Sequence, residues 1–265
     1  MSAGWLHVAR ADTPLILAMP HGGTLLPVAG FRSDWWARRD ADWHIADLYA
    51  GLAEATIVAT DVSRSVIDVN RDPSGASLYP GQATTDLCPT TTFDGDPLYT
   101  GAPPDTAEIA RRRSLYFDPY HAALAAEIAR LRARHDRVVV YDCHAIRSRV
   151  PRLFDGELPE LNIGTNGGTT CATELCDAVA AIAAATGHGH VVDGRFRGGW
   201  TTRHYGRRAT GIHAIQMEIA IRAYLREPLG PVTPDTWPPP FDPDFAAPLR
   251  AILRRILSAC LEFAR

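Results

Sequence analysis

The chain has 265 residues, a formal net charge of −3, 46% hydrophobic and 22% charged residues. That length and balance suit one large globular domain, expected to span 1–265, with a sizeable core. They exclude a basic nucleic-acid surface, and no apolar run approaches the roughly 20 residues of a membrane span.

In chain order, strand and helix signals alternate. The start, MSAGWLHVARADTPLIL, lacks a long apolar region after a basic head, so no signal peptide is expected. Pro14–Met19 reads as the first core strand and runs into PHGG, whose glycines permit a tight turn beside His21. Asp42–Ala55 is helix-like, with Ile45, Leu48 and Leu52 at helical spacing. Thr56–Val62 reads as a second strand. SRSVIDVNRDP is expected to be a strand with Val66, Asp68 and Asn70 on one face.

From about 72 to about 104 no periodicity is visible, and a stretch of this length inside a domain usually carries function. Asp105–Arg134 reads as helical, broken near Asp118-Pro119, with Leu124, Ile128 and Leu131 on one face. Val138–Tyr141 is a buried strand ending at Asp142, Cys143 and His144, before a basic loop. Glu160–Asn166 is a further strand candidate, and Thr170 a candidate cap for a helix over Cys171–Ala185. His190–Asp193 is a short strand, Phe196–Gly211 a loop rich in Gly and Arg, and His213–Ala220 a strand. A proline-rich connection, about 228–243, leads to a closing helix over Pro243–Phe263. The alternation implies a three-layer α/β/α fold with a mixed, mostly parallel central sheet.

Chemistry concentrates at strand ends, where open α/β sheets bind ligands. His21 and His144 each follow or end a strand. Glu218 shares a strand face with Gln216, opposite Ile215, Met217 and Ile219, and a buried carboxylate needs a partner or a metal. Asp42 reads either as a helix N-cap or as a ligand. A catalytic zinc site takes three protein ligands and one open position, a set that His21, Asp42 and His144 would supply. Arg64, Arg71, Arg147, Arg149, Arg195, Arg197, Arg203, Arg207 and Arg208 lie in loops after strands, which suits a small anionic substrate. The five cysteines form no CxxC pair, as expected of a cytoplasmic protein with reduced thiols.

The segments PHGG, DWHIADLY, SRSVIDVNRDP, TTTFDGDPLY, YDCHAIRS, FRGGWTTRHYG and HAIQMEIA occur in the order found in the N-formylglutamate amidohydrolases (N-formylglutamate deformylases) of histidine degradation. The chain closely resembles that family, which is related to zinc carboxypeptidases and to aspartoacylase and succinylglutamate desuccinylase. The resemblance implies a zinc-carboxypeptidase-like fold and metal-dependent hydrolysis of N-formyl-L-glutamate to formate and L-glutamate. Deacylation of another N-acyl acidic amino acid, and a non-catalytic carboxylate-binding role, stand as alternatives. The resemblance further implies that His21 and His144 bind a divalent metal, most simply Zn2+, and that Glu218 activates water. Asn70 and Arg71, helped by Arg64, Arg203 and Arg207, would hold substrate carboxylates. Relatives place an acidic ligand three residues after the first His, where this chain has Thr24. Asp42 is the substitute favoured by DWHIADL, with Asp40, His44 and Asp47 behind it. Asp142 is a candidate to orient His144.

Overall fold

The computed structural model describes residues 4–265; the first three residues of the stretch read above for a signal peptide lie outside the described residues. Seven strands form one sheet in the order β1-β3-β2-β4-β7-β5-β6. They are β1 (Leu6–Ala9), β2 (Leu15–Met19), β3 (Thr56–Thr60), β4 (Val138–Ile146), β5 (Leu161–Gly164), β6 (His190–Val192) and β7 (Ile212–Ala220). The pairs β2–β3, β2–β4, β4–β7 and β5–β6 are parallel, whereas β1–β3 and β5–β7 are antiparallel. The sheet is therefore mixed and mostly parallel, as expected. β1, which no sequence signal marked, is a short and largely exposed edge.

Both faces of the sheet are covered. On one, Leu15, Leu17, Tyr141, Cys143, Ile215 and Met217 pack with α2 (Ile45–Tyr49), α5 (Thr173–Ala184) and α7 (Pro243–Ala264). On the other, Ile16, Val58, Val138, Val140 and Ala214 meet α4 (Asp118–Arg132) through Tyr120, Leu124, Ile128 and Leu131. α7 shows why the last segment is a helix. Asp242 caps it by accepting from the backbone N–H of Asp244 and Phe245, and Pro243 opens the first turn. Leu249, Ile252, Leu253, Ile256, Leu257 and Cys260 then form one buried stripe at helical spacing. Each fully buried Leu or Ile contributes roughly 1.5–3 kcal/mol.

Several boundaries differ from the sequence reading. The Asp42–Ala55 helix shrinks to Ile45–Tyr49, because Gly51 turns the chain at φ +68°. SRSVIDVNRDP is not a strand. Val66 N–H donates to Ser63 O at 2.9 Å and Asn70 N–H to the Asp68 carboxylate at 2.9 Å, so side chains and tight turns satisfy the backbone in place of a ladder. Val66, Ile67 and Val69 are all buried, which alternating faces would not allow at a sheet edge.

As expected, the helical stretch is interrupted near Asp118-Pro119, but it is not ended there: α3 (Thr106–Arg112) gives way to a π-helical turn before α4. A wide turn at Arg113–Phe117, with Asp118 N–H bonded to Arg113 O, leads into α4, and Pro119 falls in its first turn, where no N–H is required. Thr170 does not cap a helix. Its hydroxyl lies 2.8 Å from Ala214 O and 3.0 Å from Thr165 O, and α5 starts only at Thr173. The expected loop at Phe196–Gly211 contains α6 (Trp200–Tyr205). β4 is longer than read: it continues through Asp142, Cys143 and His144 to Ile146, and the basic segment begins after it. One further helix, α1 (Asp34–Arg39), precedes Asp42. No described helix is long and apolar enough to cross a membrane.

Candidate active site

β4 and β7 run in parallel register with His144 opposite Glu218 and Asp142 opposite Gln216. Alternation along β4 puts Tyr141, Cys143 and Ala145 into the apolar layer under α7, which leaves Asp142 and His144 facing the other way. His21 comes from the turn two residues beyond β2. Asp42 sits between α1 and α2, its N–H bonded to His21 O at 2.9 Å. Its carboxylate does not cap α2: Oδ2 accepts from Ala145 N–H at 3.1 Å and lies 3.2 Å from His144 Nδ1. His21 Nδ1 is 3.1 Å from His144 Nδ1 and 3.7 Å from Asp42 Oδ2. These three buried residues offer ligand atoms that all lie within 4.8 Å of one another.

The far side of each imidazole meets a carboxylate. His21 Nε2 is 2.6 Å from Asp68 Oδ1. His144 Nε2 is 3.0 Å from Asp142 Oδ1, an ion-pair contact without hydrogen-bond alignment. Asp142 Oδ2 accepts from Thr202 Oγ1 at 3.1 Å and from Asn70 Nδ2 at 3.2 Å. Such carboxylates fix imidazole orientation and raise ligand basicity in metal sites. Arg64 binds across the group, 3.3 Å from Asp42 Oδ1 and 2.9 Å from Asp68 Oδ2.

Burial opposes the charges on Asp68, Asp42 and His144, yet their partners outweigh it. Desolvation works against ionised Asp68, but Arg71, His21 and Arg64 hold its carboxyl well below the usual range. Asp42 is likewise held low against desolvation, chiefly by His144 and His21. His144 is pushed well above 6.5 despite burial, because Asp142 and Asp42 favour its cation. Three buried aspartates around two imidazoles, with Arg64 paired to Asp42 and Asp68 but not to Asp142, form a donor set that accommodates a divalent cation. Two imidazole nitrogens and a carboxylate also match the ligand types of catalytic zinc.

Glu218 behaves differently. Burial is the largest influence on it, only partly offset by His144, and its pKa is pushed up to about 7. Gln216 Nε2 lies 3.3 Å from Glu218 Oε2, while Gln216 Oε1 accepts from Gly199 N–H at 2.7 Å. Gly199 must lack a side chain, since a Cβ there would lie 2.4 Å from Asn70 Nδ2.

A cavity of about 550 Å³, its mouth included, opens on this group and is lined by His21, Arg64, Asn70, Arg71, His144, Gln216 and Glu218, with Tyr79, Phe93, Ile146, Arg195 and Phe196 on its remaining walls. The structure thus gathers His21, Asp42, His144, Glu218, Asn70, Arg71 and Arg64 around one place. Arg203 and Arg207 are not brought to the cavity wall. Arg203 donates to Gly198 O and Leu78 O and packs over the Tyr79 ring, and Arg207 donates to Arg203 O and Gly206 O. Asn70 is already engaged: its Oδ1 accepts from Thr201 N–H at 2.7 Å and its Nδ2 lies 2.8 Å from His144 Nε2. The alternatives to Asp42 lie elsewhere. Asp40 accepts from Phe93 N–H, and Asp47 pairs with His44 near the surface.

Sequence reasoning left Asp68, Thr202 and Tyr79 without a role. Asp68 was hidden by the strand reading of its segment, and Thr202 by the unrecognised helix α6. Asp142 had a usable signal, because residues two apart on a strand share a face.

Comparison with known proteins identifies the family. A family model described as N-formylglutamate amidohydrolase matches residues 13–225. An N-formylglutamate deformylase of Pseudomonas aeruginosa is 41% identical, over 98% of this chain and 97% of its own. One from Pseudomonas putida is 40% identical, over 94% and 93%. The crystal structure of an N-formylglutamate amidohydrolase from Ralstonia eutropha has the same fold, with a TM-score of 0.76 at 24% identity and 99% of both chains covered. With the family match spanning residues 13–225 and full-length relatives at 40% identity or more, the chain belongs to the N-formylglutamate amidohydrolase family.

Proposed function

We propose that the protein hydrolyses N-formyl-L-glutamate to formate and L-glutamate, the reaction that the resemblance assigns to histidine degradation, with a zinc ion held by His21, Asp42 and His144. The observation that carries this reading is the buried triangle of ligand atoms, all within 4.8 Å, beside a carboxylate of raised pKa and an arginine-lined cavity. Family membership supports it.

Bound there, the ion supplies Lewis-acid chemistry that polarises the formyl carbonyl and makes water a better nucleophile. The chain's own residues do the rest. Glu218 takes a proton from the attacking water and passes it to the amine nitrogen that leaves as glutamate. A pKa of about 7 suits both directions of that transfer. Asp68 and Asp142 hold the two imidazoles. Arg71 holds one substrate carboxylate: three of its N–H groups are fixed by Thr85 O, Thr85 Oγ1 and Asn70 O, which aims the guanidinium while leaving further donors. Phe93, Ile146 and Phe196 supply an apolar wall against water. Five unpaired cysteines support the expected cytoplasmic setting.

The test is release of the free amino acid from a panel of formyl-, acetyl- and succinyl-glutamate and acetylaspartate, with and without a chelator. Selective turnover of formylglutamate that the chelator abolishes is expected. Preference for a larger acyl group would replace the formyl assignment, and no turnover of any member would favour a binding role.

A further inference from the structure

Arg195 differs from the other arginines on the cavity wall. Arg64 is paired with Asp42 and Asp68, and Arg71 lies 3.7 Å from Asp68. Arg195 forms no ion pair with any carboxylate among the described residues. Its Nε donates to Leu153 O at 2.7 Å and its Nη2 to Ala83 O at 2.7 Å, so two of the five guanidinium hydrogens are used. The rings of Tyr79 and Phe196 lie 5.3 and 5.2 Å from its carbon centre. Tyr79 is itself pinned, its hydroxyl donating to Gly198 O at 3.0 Å and accepting from Arg197 N–H at 3.1 Å. The guanidinium is therefore held at the cavity wall, where burial and the nearby Arg71 charge disfavour its cation and Glu218 offsets them only in part. A fixed, desolvated cation beside a second cation costs free energy that an incoming anion would recover.

We propose that Arg195, clamped between Tyr79 and Phe196, reads the side-chain carboxylate of the acyl amino acid while Arg71 reads the other, and so makes the site selective for dicarboxylic substrates. This rests on the deformylase reading and extends it from reaction type to specificity. Besides the paired Arg64, two arginines on one small cavity match a substrate with two carboxylates and disfavour one whose side chain ends in a neutral amide of the same shape. The competing role for Arg195 is purely mechanical, since its bonds to Leu153 O and Ala83 O also fasten two loops.

The two roles separate in a substrate comparison. Kinetics of wild type, Arg195→Gln and Arg195→Lys are measured on N-formyl-L-glutamate and on N-formyl-L-glutamine. In Arg195→Gln, kcat/KM for formylglutamate is expected to fall about 10- to 100-fold more than for formylglutamine, mainly through KM, as loss of charge-assisted hydrogen bonds requires. Arg195→Lys should recover part of the preference. An equal fall on both substrates, or none, overturns the proposal. If wild type turns over neither compound, the deformylase reading has failed on its own. Calorimetric binding of glutarate against butyrate, in wild type and Arg195→Gln, then still decides the carboxylate assignment: a preference for glutarate lost in the variant supports it, and an unchanged preference ends it.

Discussion

His21 and His144 face each other through their Nδ1 atoms at 3.1 Å, and each presents Nε2 to a different aspartate, at 2.6 Å to Asp68 and 3.0 Å to Asp142. With Asp42 Oδ2 3.2 Å from His144 Nδ1, the three residues turn their ligand atoms toward one another; Nε2 of His21 can donate to Asp68, which frees its Nδ1 lone pair, whereas Nε2 of His144 faces the Asn70 amide nitrogen at 2.8 Å as well as Asp142. The purified protein is accordingly expected to hold one divalent ion per chain and to lose it together with its activity on treatment with a chelator. His144→Ala should bind none. Metal analysis alongside the formate assay checks this, and full activity in a metal-free sample would remove the ion from the reaction.

The aspartates behind the imidazoles act through them. Asp142→Asn and Asp68→Asn are each expected to weaken metal affinity by about 10- to 100-fold. Competition against a chromogenic chelator measures it. Affinity equal to wild type in both variants would make these contacts irrelevant to the metal.

Glu218 is the only carboxylate of the group whose proton affinity is pushed up to about neutrality. Glu218→Gln keeps the side-chain shape and removes the proposed base. Its kcat should fall about 100- to 10,000-fold, the usual contribution of general acid–base catalysis. Its metal content should match wild type, so a fold defect and a chemical defect read differently. Near-normal kcat would move the base elsewhere.

His121 links α4 to the segment before Asn70, its Nε2 2.7 Å from Val69 O and its Nδ1 3.0 Å from Tyr205 OH. Burial, the dominant influence, lowers its pKa from 6.5 to about 4. A depressed value means that the unfolded chain takes up a proton near pH 6.5 that the folded chain refuses. The stability involved is present above 6.5 and is lost as pH falls through about 4. Urea unfolding at about pH 7.5 and about pH 5 should therefore show a steeper loss for wild type than for His121→Gln. Parallel losses in the two proteins would show that His121 does not carry this dependence.

The elements legible in the sequence were those whose side chains repeat with a period. Leu124, Ile128 and Leu131 mark α4, the run Val138–Tyr141 marks β4, and Ile215, Met217 and Ile219 mark the buried face of β7; all are buried. The segments misread were those whose conformation depends on distant groups. Val66–Asn70 looks like a strand by alternation, but turns and the Asp68 carboxylate satisfy its backbone. α6 is hidden in a Gly- and Arg-rich stretch because its first N–H groups are met from outside, by Asn70 O and Asn70 Oδ1.

Periodicity and segment order are local properties, and they were enough to read the layered α/β architecture and the family and to single out His21, Asp42, His144 and Glu218. The sequence alone left open whether Asp42 caps a helix or faces the two histidines, whether Asp142 reaches His144, and which of the arginines named for the substrate share one cavity. Those placements follow from contacts in three dimensions. Register between β4 and β7 sets Glu218 beside His144. The chain from 40 to 45 turns Asp42 inward to Ala145 N–H. Ion pairing divides Arg64, which is neutralised, from Arg195, which is not. Each depends on contacts between residues far apart in the chain, and their geometry follows from packing that no local pattern encodes.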